Sequence, residues 1–469
     1  MAAKKIYTIK RGLDLPIQGV PEKVIDDAPA ASRVALMAAD YIGLRPTMHV
    51  REGDNVQRGQ LVLEDKKNPS LRLTAPAAGV VAAVNRGARR ALQSVVIEVS
   101  EGERSGEVSR APERSEDEAE FESYSGKDVA GMSRNDIKKL LLESGEWAAL
   151  RTRPFSKTPA ADTEPHSIFI TAMDSNPLAP DVEQIIQERP EDFERGMLAV
   201  AKLTDGFTYL CTRPEADIPH NPNTGITRLG FEGPHPAGLA GLHIHLVDPV
   251  HREKTVWYIG FQDVIAIGHL VRTGRILPDR VVSLGGPPVK NPRMLRTRTG
   301  ASLDEMLEGE LPEDAPLRVV SGSVLAGRRA MGEVHGHIGR FSNQVSVVRE
   351  NIDREFLGWM APGREKFSTI NLFLSRLAPK NDRYDMTTDR NGSKRAMVPI
   401  GMYERVMPMD LVATYLLRAL IVTDTERAEQ LGCLELDEED LGLCTYVCPG
   451  KYAYGPLLRR NLEMIEKEG

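Results

Sequence analysis

Four cysteines in 469 residues, Cys211, Cys433, Cys444 and Cys448, are too few to staple a chain of this size, which excludes a disulfide scaffold and fits a reducing compartment. No apolar run approaches the roughly 18–20 residues that a membrane-crossing helix needs. Runs such as Val95–Ile97 and Val256–Gly260 stop well short, so the chain is expected to be soluble. The basic start Met1-Ala-Ala-Lys4-Lys5 leads into polar Tyr7-Thr8-Ile9-Lys10 without the apolar core of a signal peptide, which points to the cytoplasm. Net positive charge is missing too: 60 Lys and Arg face 67 Asp and Glu, a formal −7. No overall basic field draws nucleic acid or an anionic membrane. Glycine is absent from Glu146 through Arg195.

The length allows three or four domains at about 100–200 residues each. In the first hundred residues, short β-rich runs alternate with Gly and Asp turns, as in Met48-His49-Val50, Glu52-Gly53-Asp54 and Leu61-Val62-Leu63. This predicts a small sandwich or flattened barrel. Residues 101–120 are Glu, Ser, Arg and Gly with almost no large apolar side chain, a composition that predicts an acidic linker. Helical spacing begins after a Ser133 cap, at Ile137, Leu140 and Leu141. A buried strand follows at Ile168–Thr171, a helix at Phe193–Leu203 and a strand at Thr208–Cys211, with Cys211 a small core residue. That alternation predicts an α/β unit. The glycine-rich run 234–245 reads as a turn feeding a strand. His243 and His245 would then share a face, and they are expected to be hydrogen-bonded or partly exposed rather than metal ligands, since no third ligand follows. From Thr255 a strand and an amphipathic helix lead to Val281–Pro292, the helix after Ser302 and the strand Leu317–Val320. The C-terminal part is helical at Leu411–Ile421 and Gly455–Glu468.

Several of these stretches resemble known families. Val50-Arg-Glu-Gly-Asp-Asn-Val-Gln-Arg-Gly-Gln60 with Ala75-Pro76-Ala-Ala-Gly79 resembles the biotinyl/lipoyl barrel. The lysines that such a carrier would modify are Lys66 and Lys67, but Pro69 and the lengthened hairpin before Pro76 depart from the modification pattern, and an unmodified structural barrel is expected. The run 281–322 resembles the soluble-ligand-binding β-grasp domain shared by the flavin-bearing subunit of complex I and the C subunit of the Rnf complex. The domain order, with Arg45-Pro46-Thr47-Met48-His49-Val50 and Cys444-Thr-Tyr-Val-Cys448-Pro449-Gly450-Lys451-Tyr452, resembles the A-subunit family of the Na⁺-translocating NADH:quinone reductases. The resemblance implies an α+β and α/β multidomain chain: N-terminal segment and barrel at 1–100, acidic linker at 101–132, Rossmann-like domain at 133–254, β-grasp domain at 255–330, connecting region at 331–382, helical domain at 383–469. It further implies a peripheral subunit, at the cytoplasmic face of the membrane, of a complex that oxidises NADH, reduces ubiquinone and exports Na⁺.

Two redox motifs are incomplete. A ferredoxin run C-x₂-C-x₂-C-x₃-C-P brings four thiolates to one cluster; here only Cys444, Cys448 and Pro449 match, and the first two positions fall on Glu438 and Leu441. The pair therefore reads as buried cysteines beside a helix. The flavin-bearing relatives carry G-x-G-G-A-G-F-P ahead of the Rossmann-like domain, where glycines let backbone N–H groups meet phosphate. This chain has Leu150-Arg-Thr-Arg-Pro-Phe-Ser-Lys157 instead. No cofactor is expected on this chain, with NADH, flavins and iron–sulfur centres left to other subunits and ubiquinone as a possible ligand. For that quinone, Phe155 is the candidate wall and Arg151, Arg153 and Lys157 the candidate donors. The alternatives are a solvated rim, docking on acidic patches of a neighbouring subunit, or a scaffold with no ligand.

Overall fold

The computed structural model describes residues 5–111, 113–313, 315–351, 362–370, 372–377 and 383–468. Among them the chain forms two six-stranded sheets, the two smaller sheets of an N-terminal barrel, and a C-terminal group of helices.

The first six-stranded sheet runs Lys5–Thr8, Ile226–Glu232, Phe207–Thr212, Ser167–Thr171, Val256–Gly260 and Arg151–Arg153. Its first five strands are parallel, and the last joins antiparallel at the edge. Side chains of the central strand alternate between two cores: Ile168 and Ile170 meet Phe193, Met197 and Val264 on one face, and Phe169 meets Cys211, Phe231 and Ile244 on the other. Burial on both faces explains why that strand reads as an unbroken apolar run. The helices Pro190–Ala201 and Phe261–Thr273 cross so closely that a Cβ on Gly196 would lie 1.9 Å from the Val264 carbonyl oxygen. The glycine that ends the glycine-free stretch thus serves helix packing.

Three boundaries differ from the expectations. The strand Lys5–Thr8 pairs with Ile226–Glu232, and Glu22–Asp27 pairs with Arg293–Arg298, so the first residues stitch later sheets rather than the barrel. Val256–Gly260 and Phe261–Thr273 belong to the first sheet, not to the unit expected from 255. The run 234–245 does not feed a strand: Ala240–Val247 is a helix. Ala240, Gly241, Leu242, His243 and Ile244 are all buried in it, and a helix covered nearly all round has no polar face to give its sequence an amphipathic period.

The second six-stranded sheet runs Arg328–Arg329, Leu317–Ser321, Gln344–Arg349, Asp279–Gly285, Arg293–Arg298 and Glu22–Asp27. Gln344–Arg349 lies near its centre, parallel to Asp279–Gly285 and antiparallel to Leu317–Ser321. The region 331–382 therefore supplies a core strand through Val345 and Val347 and is more than a connection. Residues 352–361, 371 and 378–382 of that region lie outside the described residues.

The barrel packs Arg33–Met37, Leu92–Val99, Gly79–Arg86 and Asn55–Val56 against Pro46–Met48, Leu61–Asp65 and Arg72–Thr74 around Val34, Val62, Leu73, Val81 and Ile97. Lys66 and Lys67 are exposed in the bend after Leu61–Asp65. The segment expected to be an unpacked linker folds onto the barrel as two short helices, Glu101–Arg104 and Glu107–Arg110. Its fixing points are charges. Buried Arg58 donates to Glu103 at 3.1 Å, to Ser109 at 2.9 Å and to Glu118, and Arg298 and Arg275 add further pairs to Glu103 and Glu118. Counting apolar residues cannot foresee a segment held by buried ion pairs.

The C-terminal helices Met402–Val406, Ala413–Val422, Thr425–Gln430, Gly442–Val447 and Tyr454–Glu468 close on Leu416, Leu417, Leu420, Leu458 and Leu462.

Candidate functional site

The segment 151–157 leaves the edge of the first sheet and inserts into the C-terminal helices. Arg151 pairs across from Tyr258 and Arg153 from Val256. Beyond Pro154 the chain turns back, so that Thr152 N–H donates to the Lys157 carbonyl at 2.8 Å. Phe155 and Ser156 stand at φ of 76° and 53°, left-handed values that cost a non-glycine residue roughly 1 kcal/mol or more each. Such a turn persists only where its surroundings hold it.

The holding comes from Asp437, Glu438, Glu439 and Asp440. Asp437 accepts from Ser156 Oγ at 2.6 Å, Arg151 at 3.1 Å, Arg459 at 2.6 Å and the Glu438 N–H at 2.9 Å. Arg459 also grips Glu438 and donates to the Phe155 carbonyl at 2.9 Å. Lys157 pairs with Glu466 at 2.6 Å, and the Phe155 ring packs on the C-terminal core. The four candidates are thus brought together, but each side chain is engaged inside the chain.

Arg153 is the least conventional member. It is wholly buried, with Asp437 and Asp440 at 3.4 Å, Glu439 at 3.6 Å and the Tyr258 ring 5.1 Å away. None of its guanidinium nitrogens makes a hydrogen bond within the protein. Electrostatics shifts the cluster unevenly. Burial acts to raise Asp437, but Arg153, hydrogen bonding with Glu438, Arg151 and Arg459 hold it well below the usual carboxylate range. Burial wins at Asp440, which is pushed up to about 6 against the attraction of Arg153. Glu439 also rises, through burial and the neighbouring Asp440 and Asp437.

Arg151 keeps some exposure, its guanidinium 4.8 Å from the Phe341 ring and 5.2 Å from that of Tyr258. A cavity of about 10 Å³ beside it touches Asp40, Tyr41 and Ser156. A second, of about 30 Å³, is lined by Asp40, Tyr41, Glu146 and Arg340 where barrel and sheets meet. These are spaces for one or a few waters.

Cys444 and Cys448 are buried and free. Burial pushes the Cys444 thiol up to about 12. At Cys448 burial is outweighed by hydrogen bonds with Tyr403 and Tyr454, at 3.2 and 3.4 Å, which keep it below its ordinary value. Glu438, at the first position of the incomplete cluster motif, binds Arg459 instead. His243 bonds to the Ala237 carbonyl, whereas His245 meets Glu435. On a helix the two point to different sides. Among the described residues no group of three or more His, Cys, Asp or Glu is placed to hold a metal, and no helix is long and apolar enough to cross a membrane. The acidic run 437–440 is the part of the site missing from the sequence-based expectations: its four carboxylates are consecutive, but nothing in the sequence links them to the cations at 151 and 153.

Comparison with known proteins places the chain. Three family models match: the NqrA N-terminal barrel-sandwich hybrid domain over residues 7–100, the NqrA second alpha/beta domain over 132–276, and the NQRA C-terminal domain over 281–332. The A subunit of the Na(+)-translocating NADH-quinone reductase of Hahella chejuensis is 53% identical over 98% of this chain and 99% of its own length. Its counterpart in Vibrio parahaemolyticus is 51% identical over 99% and 100%. An NAD+-reducing [NiFe]-hydrogenase in the H2-reduced state overlaps half of each chain at 14% identity and a TM-score of 0.35, too low to carry an argument. Full-length identity at this level leaves one conclusion: the chain belongs to the family of A subunits of the Na⁺-translocating NADH-quinone reductases.

Proposed function

We propose that this chain is a peripheral subunit, at the cytoplasmic face of the membrane, of a complex that oxidises NADH, reduces ubiquinone and exports Na⁺, and that its own part is to build and hold a docking body rather than to carry electrons. In this reading NADH, flavins and iron–sulfur centres reside on other subunits. The two α/β units are a Rossmann-like and a β-grasp domain put to structural use. The observation that carries the reading is the fate of segment 151–157, where flavin-bearing relatives keep a phosphate-binding glycine loop: Arg153 lies wholly buried among carboxylates and Lys157 is paired with Glu466. The segment acts as a clasp between the first sheet and the C-terminal helices. The test is absorption and intact mass of the purified chain. The expected result is a colourless protein of unmodified mass; a flavin spectrum, bound iron, or added mass on Lys66 or Lys67 would overturn it.

A second reading, that Arg151, Arg153, Phe155 and Lys157 contact the quinone, draws support from the Arg151 guanidinium set beside the Phe341 and Tyr258 rings. A planar head group would find an aromatic wall and a cation there. That reading requires the clasp to open, because the cavity beside Arg151 is water-sized. Under it, Phe155→Ala and Arg153→Ala weaken binding of a quinone analogue roughly tenfold, about 1.4 kcal/mol. Under the docking reading, analogue affinity stays unchanged and interdomain stability falls.

A further inference from the structure

We propose that Asp440, together with its neighbour Glu439, is a proton-binding site within the clasp, and that the proton the pair exchanges makes the contact between segment 151–157 and the C-terminal helices tighter in mildly acid than in alkaline solution. The inference rests on the clasp reading and begins with a charge count. Three guanidinium groups, Arg151, Arg153 and Arg459, face four carboxylates, Asp437, Glu438, Glu439 and Asp440. Of the remaining charges around them, Lys157 is balanced by Glu466, whereas His245, whose Nε2 accepts the Asp410 N–H at 2.9 Å, gives Glu435 a hydrogen bond and no positive charge. Tyr258 is neutral, its hydroxyl held above the ordinary value by burial. Full ionisation therefore leaves at least one negative charge in excess within the cluster, and a bound proton relieves it.

Hydrogen bonding decides which carboxylate takes that proton. Asp437 collects four donors, and Glu438 is gripped by Arg459 through both oxygens. Glu439 has only partial exposure (34%) as a remedy; burial and the neighbouring Asp440 and Asp437 still push it up to about 7, and it shares the proton with Asp440. Asp440 has neither remedy. Its side chain is 1% exposed, one oxygen accepts the Asp437 N–H at 2.8 Å, and Oδ1 has no partner. That oxygen rests against Gly241, where an added Cβ would stand 2.3 Å from it. The backbone of the helix Ala240–Val247 thus closes off solvent without offering a donor. An anionic oxygen in such a place is costly and a protonated one far less so. The rises of Asp440 to about 6 and of Glu439 to about 7 agree with a proton held between them.

The sign follows from linkage. A carboxyl whose value is raised in the closed state binds a proton that the open state releases, so its stabilising contribution is present below the ordinary value and is lost as pH rises through about 6. Asp437 works in the opposite sense: its contribution is lost as pH falls below the ordinary carboxylate range. The clasp is firmest between the two limits.

Hydrogen exchange of the Thr152 and Lys157 amides in the full chain, corrected for intrinsic rates, tests the proposal between about pH 5 and 8. Wild type should open more often as pH rises, by up to about tenfold per pH unit for one linked proton. Asp440→Asn should lessen that slope, and Asp440→Asn with Glu439→Gln should remove it. Arg153→Met, which keeps Asp440 but removes its neighbouring cation, should move the transition to higher pH. Protected amides whose slope is the same in wild type and Asp440→Asn, or a transition unmoved by Arg153→Met, would overturn the proton assignment while leaving the clasp standing. Unprotected amides at every pH would overturn the clasp itself.

Discussion

Two buried arginines join this molecule together, and they are built differently. Arg58 ties the barrel to residues 101–120 through hydrogen bonds to Glu103, Ser109 and Glu118, with Nε alone left without a partner. Arg153 ties the first sheet to the C-terminal helices with every guanidinium nitrogen outside hydrogen-bonding geometry and carboxylates at 3.4–3.6 Å. Both guanidinium groups are nearly or wholly inaccessible. In the first joint, donors and acceptors are matched and the geometry is fixed. In the second, attraction is spread over several carboxylates at longer range, so protonation can adjust it. Burial of a charge therefore says little about rigidity until the hydrogen bonds are counted.

The contrast can be broken from either side. Arg58→Ala should have the largest effect, about 3 kcal/mol of unfolding free energy, because it removes the buried cation that Glu103 and Glu118 share and leaves each with a single guanidinium, Arg298 and Arg275; urea unfolding would measure it. Arg153→Met should cost less, about 2 kcal/mol near pH 8 and less still near pH 5.5. The pH dependence has that sign because without the cation Asp440 and Glu439 hold their protons to higher pH, so at acid pH little charge remains uncompensated. Equal costs at the two pH values would merge the two joints into one kind. Cys444→Ala and Cys448→Ala, both remote from the two joints, should each cost about 1–2 kcal/mol or less, the second also losing the thiol's hydrogen bonds with Tyr403 and Tyr454, and leave electron transfer of the assembled complex near normal. Lys157→Ala should shift stability by no more than about 0.5 kcal/mol, since its pair with Glu466 is about a third exposed.

What could be read in the sequence follows the range of the forces involved. The Ser133 cap is local, and it forms a capping box with Asp136 at the start of Arg134–Ser144. Ile168–Thr171 carries its own burial pattern, and so does the barrel. The strand Gln344–Arg349 is hard to see because its parallel partner lies about 60 residues away and its neighbours are polar. Residues 101–120 mislead because buried ion pairs replace apolar packing there. Of the site, residues 151–157 stand out through a missing glycine loop, a departure from relatives that a residue count can register. Their partners at 437–440 do not, because nothing local connects a cation to a carboxylate nearly three hundred positions later. The left-handed turn at Phe155 and Ser156 gives no signal either, since neither residue type marks it.

The central claim, that segment 151–157 serves the chain's own architecture, is tested most directly in the assembled complex carrying Phe155→Ala with Arg153→Met. The measurement is NADH-driven quinone reduction per assembled complex, with KM for quinone, beside the amount of this chain incorporated. The account predicts less incorporated chain but unchanged activity and unchanged KM in the complexes that do form. Full incorporation with a KM raised roughly tenfold would contradict it and give the segment to the quinone.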